Sequence, residues 1–206
     1  MGHYQRKDAT YHAAKKAGLR SRAGIKLEDL DARFHLLAPG LRVVDLGCWP
    51  GAWLQVASRR VGRSGRVVGV DLVAVEPLGL GNVTTIVGDA CNAEIQQQIL
   101  ACAGGPIDVV LSDLAPKLTG VRVTDQAREE ALVEAAIDFA VRVLNPRGSL
   151  LVKLFSGVEA AMTRRLRERF QSVSALRPPS TRKGSSEIYA AGSRLRPGTG
   201  PQEMTS

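Results

Sequence analysis

The chain has 206 residues, enough for one domain with a substantial core, and a formal net charge of +8 from 28 Lys and Arg against 20 Asp and Glu. No apolar run reaches roughly eighteen residues, and the opening Met1-Gly2-His3-Tyr4-Gln5-Arg6-Lys7-Asp8 lacks the apolar stretch of a secretory leader, which speaks against a membrane protein and for a cytoplasmic one. Three Cys without a CxxC pair and three His without ligand spacing indicate neither a disulfide framework nor a structural zinc, and no metal is expected.

The charge is unevenly spread. Residues 1–26 hold seven Lys and Arg against one acidic residue, and residues 163–196 hold nine against two, so the rest of the chain is acidic. Of the 28 basic residues 21 are Arg, the side chain that grips phosphate with two parallel hydrogen bonds. Basic ends flanking an acidic centre fit two arms that fold over one face to meet a polyanion. Charge alone leaves RNA, DNA and an anionic membrane open.

After a basic arm over about residues 1–26, residues 40–46 read as a first strand running into a Gly/Pro turn, and residues 53–61 as the helix behind it. A second strand is predicted over 65–71, a weaker third over 83–87, a helix over 93–103, a fourth strand over 107–112 and a helix over 124–144. Residues 150–155, Leu-Leu-Val-Lys-Leu-Phe, read as a strand buried on both faces and interrupted by Lys153. A basic helix over about 158–170 and an antiparallel pair of strands over 172–176 and 186–191 complete the pattern. Strands alternating with helices imply right-handed crossovers, hence a doubly wound, mostly parallel α/β sheet. The domain is expected to span residues 1–192, with the Gly, Pro, Thr and Ser of residues 193–206 forming a disordered tail.

Asp45-Leu46-Gly47-Cys48-Trp49-Pro50-Gly51-Ala52-Trp53 puts a Gly-rich turn between the first strand and its helix, where open α/β sheets hold their ligands. Its Gly-x-x-x-Gly spacing differs from the Gly-x-Gly-x-x-Gly that nests a dinucleotide pyrophosphate, and no Gly-Lys-Ser/Thr follows, which argues against NAD and ATP. Asp71 ends the second strand, where a carboxylate can accept both hydroxyls of a ribose, and Asp89 follows the third, within reach of an adenine edge. Ribose and adenine contacts without a phosphate cradle, among carboxylates suited to a sulfonium and an ammonium, fit S-adenosylmethionine. The alternative is that each Asp simply caps the next helix.

Ser112-Asp113-Leu114-Ala115-Pro116 follows the fourth strand and should project Asp113 at the same edge as the cofactor loops. Lys153 emerges from the next strand. A lone ammonium there is costly unless carboxylates accompany it, or unless it merely reaches water from an exposed strand end.

Five segments then fall into one order: Ser-Arg-Ala-x-x-Lys-Leu from Ser21, Val-Asp-Leu-Gly-x-x-Pro-Gly-x-Trp from Val44, Ser-Asp-x-Ala-Pro from Ser112, Val-Lys-x-Phe from Val152 and Ser-x-Glu-x-Tyr from Ser185. Together, over about residues 3–192, they resemble the FtsJ/RrmJ family, also called RlmE, of ribosomal RNA ribose methyltransferases. The resemblance implies the Rossmann-like fold of the S-adenosylmethionine-dependent methyltransferases. It implies a catalytic tetrad of Lys26, Asp113, Lys153 and Glu187, with Lys153 as proton acceptor, and S-adenosylmethionine contacts at Gly51, Trp53, Asp71, Asp89 and Asp113. The implied substrate is the 2′-hydroxyl of a uridine ribose in 23S rRNA of the 50S subunit, methylated by a monomer. In that chemistry Asp113 and Glu187 would hold the Lys153 ammonium while Lys26 orients the ribose. Cys48-Trp49 departs from the small residues common in the family, so the Trp49 indole must point away from the methionine pocket or reshape it.

For the RNA surface the candidates are Lys15, Lys16, Arg20 and Arg22 of the arm, with Arg182 and Lys183 in the loop before Glu187. Arg164, Arg165, Arg167 and Arg169 wrap around their helix, so more than one of its faces must be solvated. A tRNA or mRNA-cap ribose methyltransferase would carry the same tetrad. From a different class, a non-catalytic RNA-binding ribosome-assembly factor could keep the fold, but with a broken tetrad or cofactor loop. The compact length favours the ribosomal substrate.

Overall fold

Runs of Val, Ile and Leu that are apolar on both faces become the central strands of a sheet. The computed structural model describes residues 9–155, 157–182, 184–185 and 187–199. In chain order these form α1 (Ala9–Lys16), α2 (Ala23–Phe34), β1 (Arg42–Leu46), α3 (Ala52–Val61), β2 (Arg66–Asp71), β3 (Val83–Val87), α4 (Ala93–Ala103), β4 (Ile107–Ser112), α5 (Arg122–Val143), β5 (Leu144–Phe155), α6 (Glu159–Arg169), β6 (Phe170–Leu176) and β7 (Glu187–Leu195). The strands make one sheet in the order β3-β2-β1-β4-β5-β7-β6. Strands β1 to β5 are mutually parallel, and β7 runs antiparallel to both β5 and β6.

The period of two along each strand divides the core between the faces. Val44, Leu46, Val68, Val70, Val110, Val152 and Leu154 pack into one cluster with buried residues of α4, α5 and α6. Val43, Val67, Val109, Leu111, Leu151 and Tyr189 pack on the other side with those of α1, α2 and α3. Local signals set the limits of α4, where the Asn92 side chain accepts hydrogen bonds from the N–H groups of Glu94 and Ile95, and Gly104 closes the helix in the left-handed conformation.

Among the differences from the sequence expectation, three bear on the site and the sheet. Residues 23–26, assigned to the basic arm, open helix α2, so Lys26 sits on a helix with 6% of its surface exposed. Strand β5 begins six residues before position 150, at Leu144, although Asn145-Pro146-Arg147-Gly148 has the composition of a turn. The carboxylate of Asp108 explains this, since it accepts from the Arg42 N–H at 2.7 Å and from Asn145 Nδ2 at 2.6 Å and so ties the starts of β1, β4 and β5 together. Finally, Ser193 to Leu195, placed at the head of a disordered tail, continue β7: Ser193 pairs with Ser149 and Ser172, and Leu195 with Phe170. Residues 200–206 of that tail lie outside the described residues.

Candidate active site

The strand order reverses between β1 and β4, and such a switch point opens a crevice at the carboxyl ends of the strands. Register then decides which side chains meet there. Leu46 is level with Ser112, and Ser112 with Val152, so the Gly47 turn, Asp113 and Lys153 leave the sheet side by side. On the antiparallel side Tyr189 lies directly opposite Lys153, and Glu187 opposite Phe155.

All four residues of the expected tetrad converge, in two ion pairs. Lys153 Nζ is 3.0 Å from Asp113 Oδ1 and donates to the main-chain carbonyl of Asp113 at 2.9 Å. Lys26 Nζ donates to Glu187 Oε2 at 2.5 Å. Glu187 therefore grips Lys26 rather than sharing in the restraint of Lys153. Both lysines are almost fully buried, and each ammonium faces an aromatic ring, Lys153 at 5.4 Å from that of Phe155 and Lys26 at 5.8 Å from that of Tyr189. Burial alone would raise the pKa of Glu187, but the hydrogen bond and charge of Lys26, joined by the charge of Lys153, hold it below the usual carboxylate range.

Two further groups at this centre were not among the sequence candidates. The Tyr189 hydroxyl donates to Asp113 Oδ1 at 2.8 Å, so one carboxylate oxygen meets both Tyr189 and Lys153. Burial and the Asp113 charge push the tyrosine pKa up, which keeps it a neutral donor. Glu129 of α5 is buried and lines a small cavity with Lys153, Ser112 and Phe155. Burial and Asp125 raise its pKa while Lys153 lowers it. Tyr189 was visible in the Ser-x-Glu-x-Tyr segment, whereas one glutamate in an acidic helical stretch carries no local signal.

On the β1-β2 side the turn is shaped for close approach. Gly47 and Gly51 have φ of 81° and 103°, in the region that favours glycine, and a Cβ on Gly47 would meet Leu114 at 3.1 Å. Asp71 Oδ2 accepts from the Trp49 N–H at 2.9 Å and Oδ1 from the Val73 N–H at 3.0 Å, which fixes the carboxylate and leaves further lone pairs for a ligand. The Trp49 side chain is 57% exposed, and Leu72, Val73 and Val87 are exposed around the same strand ends. Asp89 is exposed, with Oδ1 accepting from the Cys91 N–H. Trp53 is buried, and its indole N–H donates to the Ala23 carbonyl at 2.7 Å, so its side chain fastens α2 to α3. Cys48 is buried too, and burial together with Asp45 and Asp71 pushes its thiol pKa far up, which removes it as a nucleophile.

The strongest electrostatic signal here is Asp45. Both of its carboxylate oxygens are buried with no hydrogen-bond partner among the described residues. Burial, and then the charges of Asp113 and Asp71, raise its pKa well above the ordinary value. Three carboxylates acting on one another at adjacent strand ends form a site short of positive charge, and a cationic ligand would relieve it.

The nominated RNA residues divide. Lys15 and Lys16 are exposed on the last turn of α1. Arg20 is engaged elsewhere, its guanidinium donating to the carbonyls of Pro50 at 3.1 Å and Pro77 at 2.7 Å and so tying the arm to the Gly-rich turn. Arg22 and Arg182 are half-buried and make contacts within the chain, and Lys183 lies outside the described residues. Arg165 is held by Glu134 and Glu168, both at 2.8 Å.

A doubly wound sheet with a glycine turn, carboxylates at successive strand ends and a buried Lys-Asp pair beside them defines a Rossmann-like methyltransferase. The chain belongs to the FtsJ-like methyltransferase family, whose sequence model matches residues 19–195. It is 41% identical over 191 residues to the ribosomal RNA large subunit methyltransferase E of Methanobrevibacter smithii, covering 92% of this chain and 91% of that protein. It is 46% identical over 190 residues to the protein of that name from Methanothrix thermoacetophila, covering 92% and 73%. The crystal structure of a Plasmodium falciparum protein described as a ribosomal RNA methyltransferase superposes with a TM-score of 0.75 at 26% identity, over 85% of this chain and 98% of that one. Membership makes the chain a methyltransferase, and such families generally take the methyl group from S-adenosylmethionine.

Proposed function

We propose that the chain transfers a methyl group from S-adenosylmethionine to the 2′-hydroxyl of a uridine ribose in the 23S rRNA of the 50S subunit. The observation that carries this reading is the buried Lys153–Asp113 pair, set beside the unrelieved carboxylate of Asp45. One half of the site is arranged to manage a proton, the other to receive a cation. The names of the relatives support rRNA as the substrate.

Gly51, Asp71, Asp89 and Asp113, with the main chain at Trp53, would hold the donor. Bound there, it supplies a methyl group already activated on a sulfonium. What remains is to place a poor nucleophile and remove its proton. Lys153, in its neutral form, accepts the hydroxyl proton at Nζ. The Asp113 carboxylate, steadied by Tyr189, and the Asp113 main-chain carbonyl together aim Lys153. Lys26, anchored by Glu187, turns its remaining N–H groups toward the ribose. The step as proposed draws on no metal, and the enzyme works as a cytoplasmic monomer.

The test incubates the protein and labelled S-adenosylmethionine with 50S particles, free rRNA and tRNA from cells lacking the activity, then maps the labelled nucleotide. Label at a uridine 2′-oxygen of 23S rRNA is expected. Label in tRNA alone would overturn the proposal.

A further inference from the structure

The catalytic edge leaves one strongly charged feature unexplained. At the opposite edge, where Ile107 of β4 is level with Leu144 of β5, a groove of about 1240 Å³ opens between the starts of those strands and the end of β7. Leu100, Pro106, Pro146 and Pro197 contribute exposed apolar surface, and Arg142, Arg147, Arg194 and Arg196 line it, with no Asp or Glu among the described lining residues. Arg142 donates to Gln96 Oε1 at 2.6 Å, and Arg196 Nε to the Arg167 carbonyl at 2.7 Å. Those bonds hold two guanidinium groups in place without neutralising them. The side chains of Arg147 and Arg194 have no partner among the described residues. Arg194 is also kept at φ 59°, in the left-handed region, between two residues that both pair with β6.

We propose that this groove is a second docking site for RNA backbone, distinct from the surface that presents the ribose to Lys153. The proposal rests on the reading of the chain as an RNA methyltransferase. Four guanidinium groups around an apolar surface repel one another unless an anion comes between them, and the planar fork of Arg matches phosphate oxygens. The apolar part offers a surface for a sugar or base face, which a simple ion site would not need. The six residues of β4 separate the groove from Asp113, a span of roughly 20 Å at strand rise. A single nucleotide or cap cannot bridge that distance. A folded RNA can, so the groove favours structured RNA over short fragments and acts on KM rather than kcat.

The experiment compares wild type with Arg147→Ala/Arg194→Ala and Arg147→Glu/Arg194→Glu. Binding to 50S particles and to transcribed 23S rRNA is measured from about 0.05 to 0.2 M salt, with methyl-transfer kinetics and thermal melts alongside. The charge-reversed variant should bind about tenfold more weakly, and the slope of log K against log salt should fall by about 1 to 2 in the alanine variant. KM for the particle should rise while kcat and the melting temperature hold. Unchanged affinity and slope in both variants, with wild type binding RNA, would remove the groove alone. Wild type that binds no RNA would remove the proposed function together with it. Loss of binding to phosphatidylserine vesicles with RNA binding intact would reassign the groove to a lipid surface and overturn the proposal.

Discussion

The two halves of the sheet, on either side of the β1/β4 boundary, treat charge in opposite ways. On the β4-β5-β7 side the lysines have carboxylate partners, Lys153 with Asp113 and Lys26 with Glu187, and Tyr189 adds a neutral donor. On the β1-β2 side, Asp45 has no hydrogen-bond partner and Asp71 accepts only main-chain N–H groups, among the described residues. The first half is complete as it stands, its polar groups aimed before any ligand arrives. The second is electrostatically unfinished and gains when a cation enters. On the proposed function the proton-handling lysine and most of the donor contacts fall on opposite sides of one strand boundary, with Asp113 serving both, and substitutions on the two sides should fail in different ways.

The largest effect is expected at Lys153. Lys153→Ala should lower the rate of methyl transfer by about 10²–10⁴-fold while donor affinity, read by calorimetry, changes by less than about twofold. A parallel loss of donor affinity would erase the division between the halves. Asp45→Asn should do the reverse, weakening donor binding by about tenfold and sparing kcat at saturation. It should also stabilise the protein. The folded state raises the pKa of Asp45, so stability falls as pH rises above the unfolded value of about 3.9, a loss that Asn does not suffer. A gain of about 2–4 °C in Tm at pH 7, fading below about pH 4, is the signature. No gain at pH 7 would mean that Asp45 is not strained by its burial.

These contrasts were only partly legible in the sequence. Strand and helix patterns gave β3, α4 and β4 their limits, because such signals lie within a few residues of the element they define. The motif glycines and acids at strand ends likewise placed the turn, Asp71 and Asp113, since a parallel sheet delivers strand ends to one edge. Pairing within the site was not legible. Whether Glu187 holds Lys153 or Lys26 depends on where α2 lies against β7, a contact across 161 positions of chain. The family resemblance implied a cofactor contact at Trp53, but that its indole N–H donates to Ala23 follows from the packing of α2 on α3, which the motif does not record. The isolation of Asp45 is a matter of what surrounds it in three dimensions, which a strand motif does not record.

Within the complete half, Glu187→Gln tests how firmly the pair with Lys26 is held. Burial opposes the Glu187 charge, but Lys26 and Lys153 outweigh it and depress the pKa. The pair's contribution is therefore present above the unfolded value of about 4.3 and is lost as pH falls through the lower folded value. Glu187→Gln should lower Tm by about 2–4 °C at pH 7, with the gap to wild type closing below about pH 4. Transfer should fall by about tenfold, less than for Lys153→Ala, because in the proposed mechanism the loosened group positions the ribose and leaves the proton acceptor in place. A gap that persists undiminished at pH 3 would assign Glu187 a packing role instead.

The smallest effect concerns which half the arm serves. Arg20 binds the Pro50 and Pro77 carbonyls and its N–H reaches the Gln55 side chain, so it belongs to the wall of the donor half despite its place in a basic segment. Lys15 and Lys16, exposed on α1, are not tied to that wall. Arg20→Ala should weaken donor binding by about threefold, the loss of hydrogen bonds to partly solvated carbonyls, and leave the salt slope of RNA binding unchanged. Lys15→Ala/Lys16→Ala should do the opposite, reducing the slope by about 1 to 2 with donor affinity intact. A reduced slope in Arg20→Ala would show that the guanidinium leaves the turn to meet phosphate. The arm would then link the two halves, and donor and RNA binding should become mutually dependent in calorimetry, each tightening or loosening the other by the same factor.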